Sequence, residues 1–231
     1  MAFPTVAATN TSNSAGTTTH AVSLPASISA GDLLIVLLYL FSGSGVPGIS
    51  TPSGWTSLGT VDDSTDRRLS VFYKIASGSE GASVTVTSDI NASGAHNSYR
   101  ITGYSGAPEI AIASSVGAPN PPNLAPSWGA LDTLWLAIGG DSNDAADMTA
   151  PASYTNIIQD FESVSGLNAG SARRALNAGS ENPAAFGGTT ASGTALSATV
   201  AVRPAAVPKS LIERVEAASP VFGYRTRMIA T

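Results

Sequence analysis

One pattern of residues recurs along this chain at a spacing of roughly 100, and that recurrence limits what it can fold into, because each copy has to build a similar unit. Gly31-Asp32-Leu33-Leu34-Ile35-Val36 is answered by Leu131-Asp132-Thr133-Leu134-Trp135-Leu136. Thr51-Pro52-Ser53-Gly54-Trp55-Thr56 is answered by Ala150-Pro151-Ala152-Ser153-Tyr154-Thr155. Arg67-Arg68-Leu69 followed by Gly78-Ser79-Glu80 is matched to Arg173-Arg174-Ala175 followed by Gly179-Ser180-Glu181. The strand-like Tyr99-Arg100-Ile101-Thr102 falls opposite Thr199-Val200-Ala201-Val202. Each match alone is short, but all of them keep their order.

Before residue 207 the periodicity is that of strands. Leu33–Phe41, Leu69–Ile75, Ser83–Thr87, Ser98–Thr102, Thr133–Ile138 and Ala198–Val202 are rich in apolar, β-branched or aromatic residues, and Gly, Pro, Asn, Asp or Ser bounds each run. Ser83–Thr87 and Thr199–Val202 alternate as half-buried strands do, whereas Leu33–Phe41 is apolar throughout and reads as a central strand covered on both faces. The expected fold is all-β: an antiparallel β-sandwich, jelly-roll-like, in which each repeat supplies about half of the strands. Residues 103–108 offer no linker, so one pseudo-symmetric domain over 1–207 is expected, with repeats at about 5–106 and 107–204.

The remainder, 208–231, reads differently. Pro208-Lys209-Ser210 opens a short helix-like stretch that stops before Pro220, with Leu211, Ile212, Val215 and Ala218 on one face. Val221–Thr231 follows as an apolar arm bearing arginines. Lys209, Arg214, Arg225 and Arg227 against Glu213 and Glu216 give this segment +2, which leaves the body at −7 out of a net −5. An amphipathic arm of opposite charge, following a finished domain, either packs on its own body or docks on a neighbouring subunit or particle; the second is the expectation, through Lys209, Leu211, Ile212, Arg214, Val215, Phe222, Tyr224, Arg225 and Arg227.

Several chemistries are disfavoured. The acidic balance, with a pI near 4.8, offers no general attraction to nucleic acid. The absence of Cys removes thiolate catalysis and Cys-based metal sites. Charged residues are only 12% of the chain, and Ser, Thr, Asn and Gly supply the surface instead. The start lacks the basic flank and apolar run of a signal peptide, and Leu33–Phe41 is about half the length of a membrane span. Gly43-Ser44-Gly45-Val46-Pro47-Gly48 matches the dinucleotide fingerprint, but the prolines at 47 and 52 leave no helix to receive a pyrophosphate. No cofactor is expected.

The acidic run Asp141, Asp144 and Asp147 could wrap a Ca²⁺, although an exposed solvated turn explains it as well. The two histidines, His20 and His96, read as surface residues of strands or loops with no nucleophile elbow beside them. Glu80 and Glu181 lie in matching Gly-Ser-Glu turns, which argues for turn architecture over a glycosidase pair. Trp55 and Tyr154 occupy matched positions. Repetition favours packing, each plugging one end of the core, while exposure would let either stack on a sugar ring.

Ile28–Val36, Thr51–Thr56, Tyr73–Glu80 and the stretch Ser98-Tyr99-Arg100-Ile101-Thr102-Gly103-Tyr104-Ser105-Gly106 together resemble a module of tailed-bacteriophage structural proteins. Such modules form head-decoration, head-fibre or tail-associated β-sandwiches. The resemblance spans about residues 5–204 and excludes the terminal arm. It implies a non-enzymatic virion protein made in the host cytoplasm, a capsid or other virion protein as partner, and self-association, trimers being common. Neither nucleic acid nor membrane is an expected partner. The leading expectation is capsid decoration or cementing with residues 208–231 as the anchor. The alternative is a tail-fibre or tail-tip module that binds host glycan through Trp55, Tyr154 or the Asp141–Asp147 turn.

Overall fold

The computed structural model describes residues 1–142, 147–189 and 193–206. The anchor residues Lys209, Leu211, Ile212, Arg214, Val215, Phe222, Tyr224, Arg225 and Arg227 lie outside the described residues, as does Asp144.

The protein is an all-β sandwich of two antiparallel sheets, with no helix among the described residues. The first half of the chain supplies β1 (Thr5–Ser23), β2 (Leu33–Phe41), β3 (Ile49–Ser50), β4 (Thr56–Asp62), β5 (Arg67–Ile75) and β6 (Ser83–Thr102). The second half supplies β7 (Glu109–Val116), β8 (Leu131–Ser142), β9 (Thr155–Glu162), β10 (Leu167–Ala178) and β11 (Thr194–Val202). The sheet orders are β1-β6-β2-β5-β4, with short β3 added on β6, and β7-β11-β8-β10-β9. With β3 set aside, both sheets have the same winding. Each repeat therefore builds one whole sheet, and the chain passes between sheets once, a simpler path than the repeated crossings of a full jelly roll. The halves are placed reciprocally: β1 lies against β9, and its counterpart β7 lies against β4.

β2 shows why the two layers close. All eight residues Leu33–Leu40 are fully buried. Leu33, Ile35, Leu37 and Tyr39 point between the sheets, while Val36 and Leu38 join a second apolar cluster on the outer face. In β8 the inward residues are Leu134, Leu136 and Ile138, and the outward ones are Trp135 and Ala137. The equivalent of Leu33 is thus Leu134, one position later than the sequence match at Asp32 and Asp132 implies. Thr133 takes up the difference; it is buried and its Oγ1 accepts from Trp128 Nε1 at 3.1 Å. A one-residue slip turns every following side chain to the other face, so burial fixes the true register.

The paired arginines are a second correction. Arg67 is opposite Phe41 at one end of β5, whereas Arg173 is opposite Leu136 in mid-strand. The positional partner of Arg174 is Lys74. Lys74 binds Glu80 at 3.0 Å and Arg174 binds Glu181 at 2.8 Å, so the two repeats share a cation–glutamate bridge.

Polar atoms also tie the sheets together. Asn97 Nδ2 on β6 donates to the Ala169 carbonyl and to Ser171 Oγ on β10, each at 3.1 Å. Tyr99 Oη and Ser171 Oγ are 2.6 Å apart. Both Asn97 and Tyr99 are buried. Replacing Tyr99 by Phe keeps the ring and leaves Ser171 Oγ with the Asn97 donor alone, so a loss of about 1–2 kcal/mol is expected in urea unfolding. An unchanged midpoint would show that this hydroxyl pair contributes nothing.

The outer face of the first sheet is covered by its own longest strands. β1 and β6 pair from Thr5↔Thr102 to Ser23↔Ser83, with irregularities between Ser14 and Thr19. Gly16, at φ +53°, lies in that break, where a side chain would strain the backbone. Beyond it the ribbon folds back on itself. Ser23 N donates to Ser12 Oγ at 3.0 Å, Asn10 Nδ2 to the Leu24 carbonyl at 3.0 Å, and Ser98 Oγ to the Ser23 carbonyl at 2.7 Å. Val22, Leu24 and Val86 thereby reach Val36, Leu38 and Phe72.

Candidate functional site

The histidines are not surface residues. His20 and His96 are both fully buried, inside the fold of the β1–β6 ribbon, with ring centroids 6.0 Å apart. Ser14 Oγ lies 2.7 Å from His20 Nδ1, and Ser88 Oγ lies 3.0 Å from His20 Nε2. Ser12 Oγ is 3.3 Å from His96 Nδ1. Burial pushes both rings toward the neutral form; His96, with His20 adding repulsion, falls to about 3. The Ser14–His20 contact has the outline of a nucleophile and base, but the third member is the Ser88 hydroxyl. A hydroxyl cannot stabilise an imidazolium as a carboxylate does, and depressed basicity works against proton abstraction. The cluster is a buried polar lock. Its members are 76 residues apart in sequence (His20, His96), and no local motif announces them.

The carboxylates are likewise occupied. Burial would raise Glu80, but the N–H groups of Ser77 and Gly78, the Ser77 hydroxyl and the Lys74 ammonium hold it at about 2. Glu80 sits beside the outer cluster of the first sheet, and Glu181, bridged through its backbone to Leu124, belongs to the outer face of the second. The two glutamates are thus on opposite sides of the sandwich and cannot flank one bond.

At one end of the sandwich, burial works against the Asp63 charge, yet N–H donation from Thr65, Asp66 and Arg67 keeps its carboxyl well below the usual range. Arg67 binds Asp63 at 2.9 Å, stacks 5.4 Å from the Phe41 ring centroid, and donates Nε–H to Ser142 Oγ on the other sheet at 2.6 Å. Arg68 binds Asp62 at 3.0 Å. Asp141, nearby on β8, is buried, and burial raises its carboxyl. Asp147 is exposed and accepts from Gln159 Nε2 at 2.8 Å. Among the described residues no group of three His, Asp or Glu is arranged to hold a metal ion.

The aromatic pair separates clearly. Trp55 and Tyr154 close the same turn in the two halves, Trp55 N donating to the Pro52 carbonyl and Tyr154 N to the Pro151 carbonyl, each at 3.0 Å. The third turn position has positive φ in both, Gly54 at +76° and Ser153 at +68°. Neither ring plugs an end of the inter-sheet core; each caps an outer face. Tyr154 is buried in a cluster with Leu124, Trp135, Met148 and Phe186, so it cannot be presented to a ligand. Trp55 is half-buried and borders an open cleft of about 280 Å³ with Leu24, Pro52, Ser53, Lys74, Glu80, Gly81, Ser83, Val84 and Thr85.

The reason is a difference in chain length. Gly81 and Ala82 alone join Glu80 to β6, whereas residues 182–193 join Glu181 to β11. Part of that longer segment lies across the second sheet, pinned by Phe186 N to the Pro119 carbonyl at 2.9 Å and by the Thr149–Gly187 pair. Phe186, 2% exposed, fills the second face. The cleft beside Trp55 is thus the open member of a repeated pair, and the unequal spacing after the two glutamates is the sequence signal that marks it.

No family model matches this chain, and neither a curated protein nor a solved structure is significantly similar to it. No helix among the described residues is long and apolar enough to cross a membrane.

Proposed function

We propose that this is a non-enzymatic virion protein that decorates or cements a phage capsid, with the sandwich as an outward body and residues 208–231 as the anchor. The observation that carries this reading is where the body ends. Ser105 N donates to the Arg203 carbonyl at 3.0 Å and Ala205 N to the Gly103 carbonyl at 2.9 Å, so the chain is tied to the segment joining the two halves immediately before residue 207. The last strand is complete at Val202, which is 1% exposed. A basic, amphipathic stretch therefore starts from a fixed point on an acidic body, an arrangement suited to gripping a lattice. Engagement of the glutamates and histidines in local hydrogen bonds also favours a structural over a catalytic body. Specific association of this kind buries about 1,000 Å² or more.

Deleting residues 208–231 is expected to leave a folded sandwich with unchanged far-ultraviolet circular dichroism that no longer co-sediments with capsids. Normal co-sedimentation of the truncated protein would sink the anchor role. Immuno-electron microscopy of native particles distinguishes head from tail placement: label over the head lattice agrees with decoration, and label confined to the tail refutes it.

A further inference from the structure

We infer that the cleft beside Trp55 is a binding site for a neutral pyranoside, with the indole as its stacking floor. The inference goes beyond the virion role and holds whatever surface the body is mounted on.

Three features point to this ligand class. The first is the state of the indoles. Trp128 Nε1 donates to Thr133 Oγ1 and Trp135 Nε1 to the Leu176 carbonyl, both at 3.1 Å, while Trp55 Nε1 has no acceptor among the described residues. A half-buried indole with an unspent N–H offers both an apolar face and a donor, the pairing that a sugar ring with its C–H face and hydroxyls can use. The second is the rim: Ser53, Ser83 and Thr85 are exposed hydroxyls around the same opening.

The third is charge. Lys74 spends one donor on Glu80, and Glu80 is saturated by Lys74, Ser77 and Gly78, so the floor is an internally neutral pair. Lys74 keeps further N–H donors for a hydroxyl oxygen. Glu80, held at about 2 by these donors, stays ionised at neutral pH and does not serve as a proton donor. The strongly acidic body disfavours uronic or sialic acids.

Space is sufficient. A second hollow of about 450 Å³, lined by Asn10, Ser23, Pro25 and Ile28 among others, adjoins the first across the shared residues Leu24, Glu80 and Gly81. The second hollow is within the range of small-ligand sites, about 300–1,000 Å³, and the first falls just short of it alone, so the two together offer room for a short saccharide. The second repeat supplies the contrast, since there Phe186 occupies the outer face and Tyr154 is sealed.

The test follows the three indole N–H signals by ¹⁵N NMR on the full chain, assigned with Trp→Phe variants. The probes are maltotriose, cellotriose and triacetylchitotriose, with sialyllactose as the acidic control. With one stacking ring, binding in the range of about 1 mM is expected. The Trp55 signal should move saturably with at least one neutral trisaccharide while those of Trp128 and Trp135 stay. Thr85→Arg, an exposed position on the rim, should weaken binding at least about tenfold, equivalent to 1.4 kcal/mol, with the dispersion of the spectrum intact. The inference is overturned if no indole responds by about 20 mM probe, which is well above such a Kd. It is equally overturned if only sialyllactose acts, or if Thr85→Arg binds as the wild type does.

Discussion

Gly140→Val is expected to destabilise the protein by about 3 kcal/mol or more, the upper end of what overpacking a core costs. Gly140 lies on β8 opposite Ala169 and Leu196, and it faces β2 across the inter-sheet core. A Cβ at this position would overlap Tyr39 Cδ2 and lie 2.5 Å from Cγ and 2.8 Å from Cε2. The Tyr39 ring is fully buried, so it cannot swing into solvent, and the strands around it are held on both sides. The ring stands where, by the symmetry of the repeats, two large side chains would otherwise meet, and the glycine is what lets the sheets approach. Chemical unfolding measures the effect directly. A companion variant, Tyr39→Leu with Gly140→Val, should recover part of the loss, since the removed ring frees the volume the valine needs. If Gly140→Val unfolds within about 0.5 kcal/mol of the parent, the close approach is not a constraint.

Stability should fall steeply between pH 6.5 and about 4.5, before most carboxylates titrate. His20 and His96 have folded-state pKa values below the ordinary 6.5, with His96 at about 3. The unfolded chain therefore takes up protons first as the pH drops. Their contribution is whole above 6.5 and is lost as the pH falls toward the folded values. The limiting slope from His96 is about 1.4 kcal/mol per pH unit, and His20 adds to it in the same direction. The groups packed around the rings are Ser12 and Ser14 of β1 and Ser88 of β6, and each ring faces the other. Glu80 and Asp63 also lose stabilisation in acid, but only as the pH enters the ordinary carboxylate range and falls below it, so they contribute little to the upper window. Asp141 works in the opposite sense, because its raised carboxyl is better tolerated when protonated. Urea midpoints from pH 7.5 to 4.5 test the slope, and His96→Gln should remove about one proton's worth of it. A flat profile in the parent would refute the buried-lock assignment.

Much of the architecture is readable in residue patterns. The unbroken apolar run Leu33–Phe41 marks a strand covered on both faces, and it is one. The matched Pro-x-x-aromatic blocks mark matched turns, since Gly54 and Ser153 both take positive φ for the same backbone reason. The Gly-Ser-Glu blocks mark turns whose glutamates bind a cation, at Lys74 and Arg174. Two matches misled because composition does not record facing. Arg67-Arg68 resembles Arg173-Arg174 in letters only, and the Asp32–Asp132 match hides the extra residue at Thr133.

The sequence by itself determines the class of fold, the twofold division of the chain and the turns, because strand alternation, turn chemistry and repetition are local properties written in neighbouring residues. The tertiary structure alone decides which matched residues are equivalent in burial, that His20 and His96 meet beneath a folded ribbon, and that Tyr154 is sealed while Trp55 stays open. Those outcomes depend on contacts between residues far apart in the chain, from Ser14 and Ser88 at the histidines to Phe186 over the second sheet. Long-range packing chooses among side chains that local pattern treats alike.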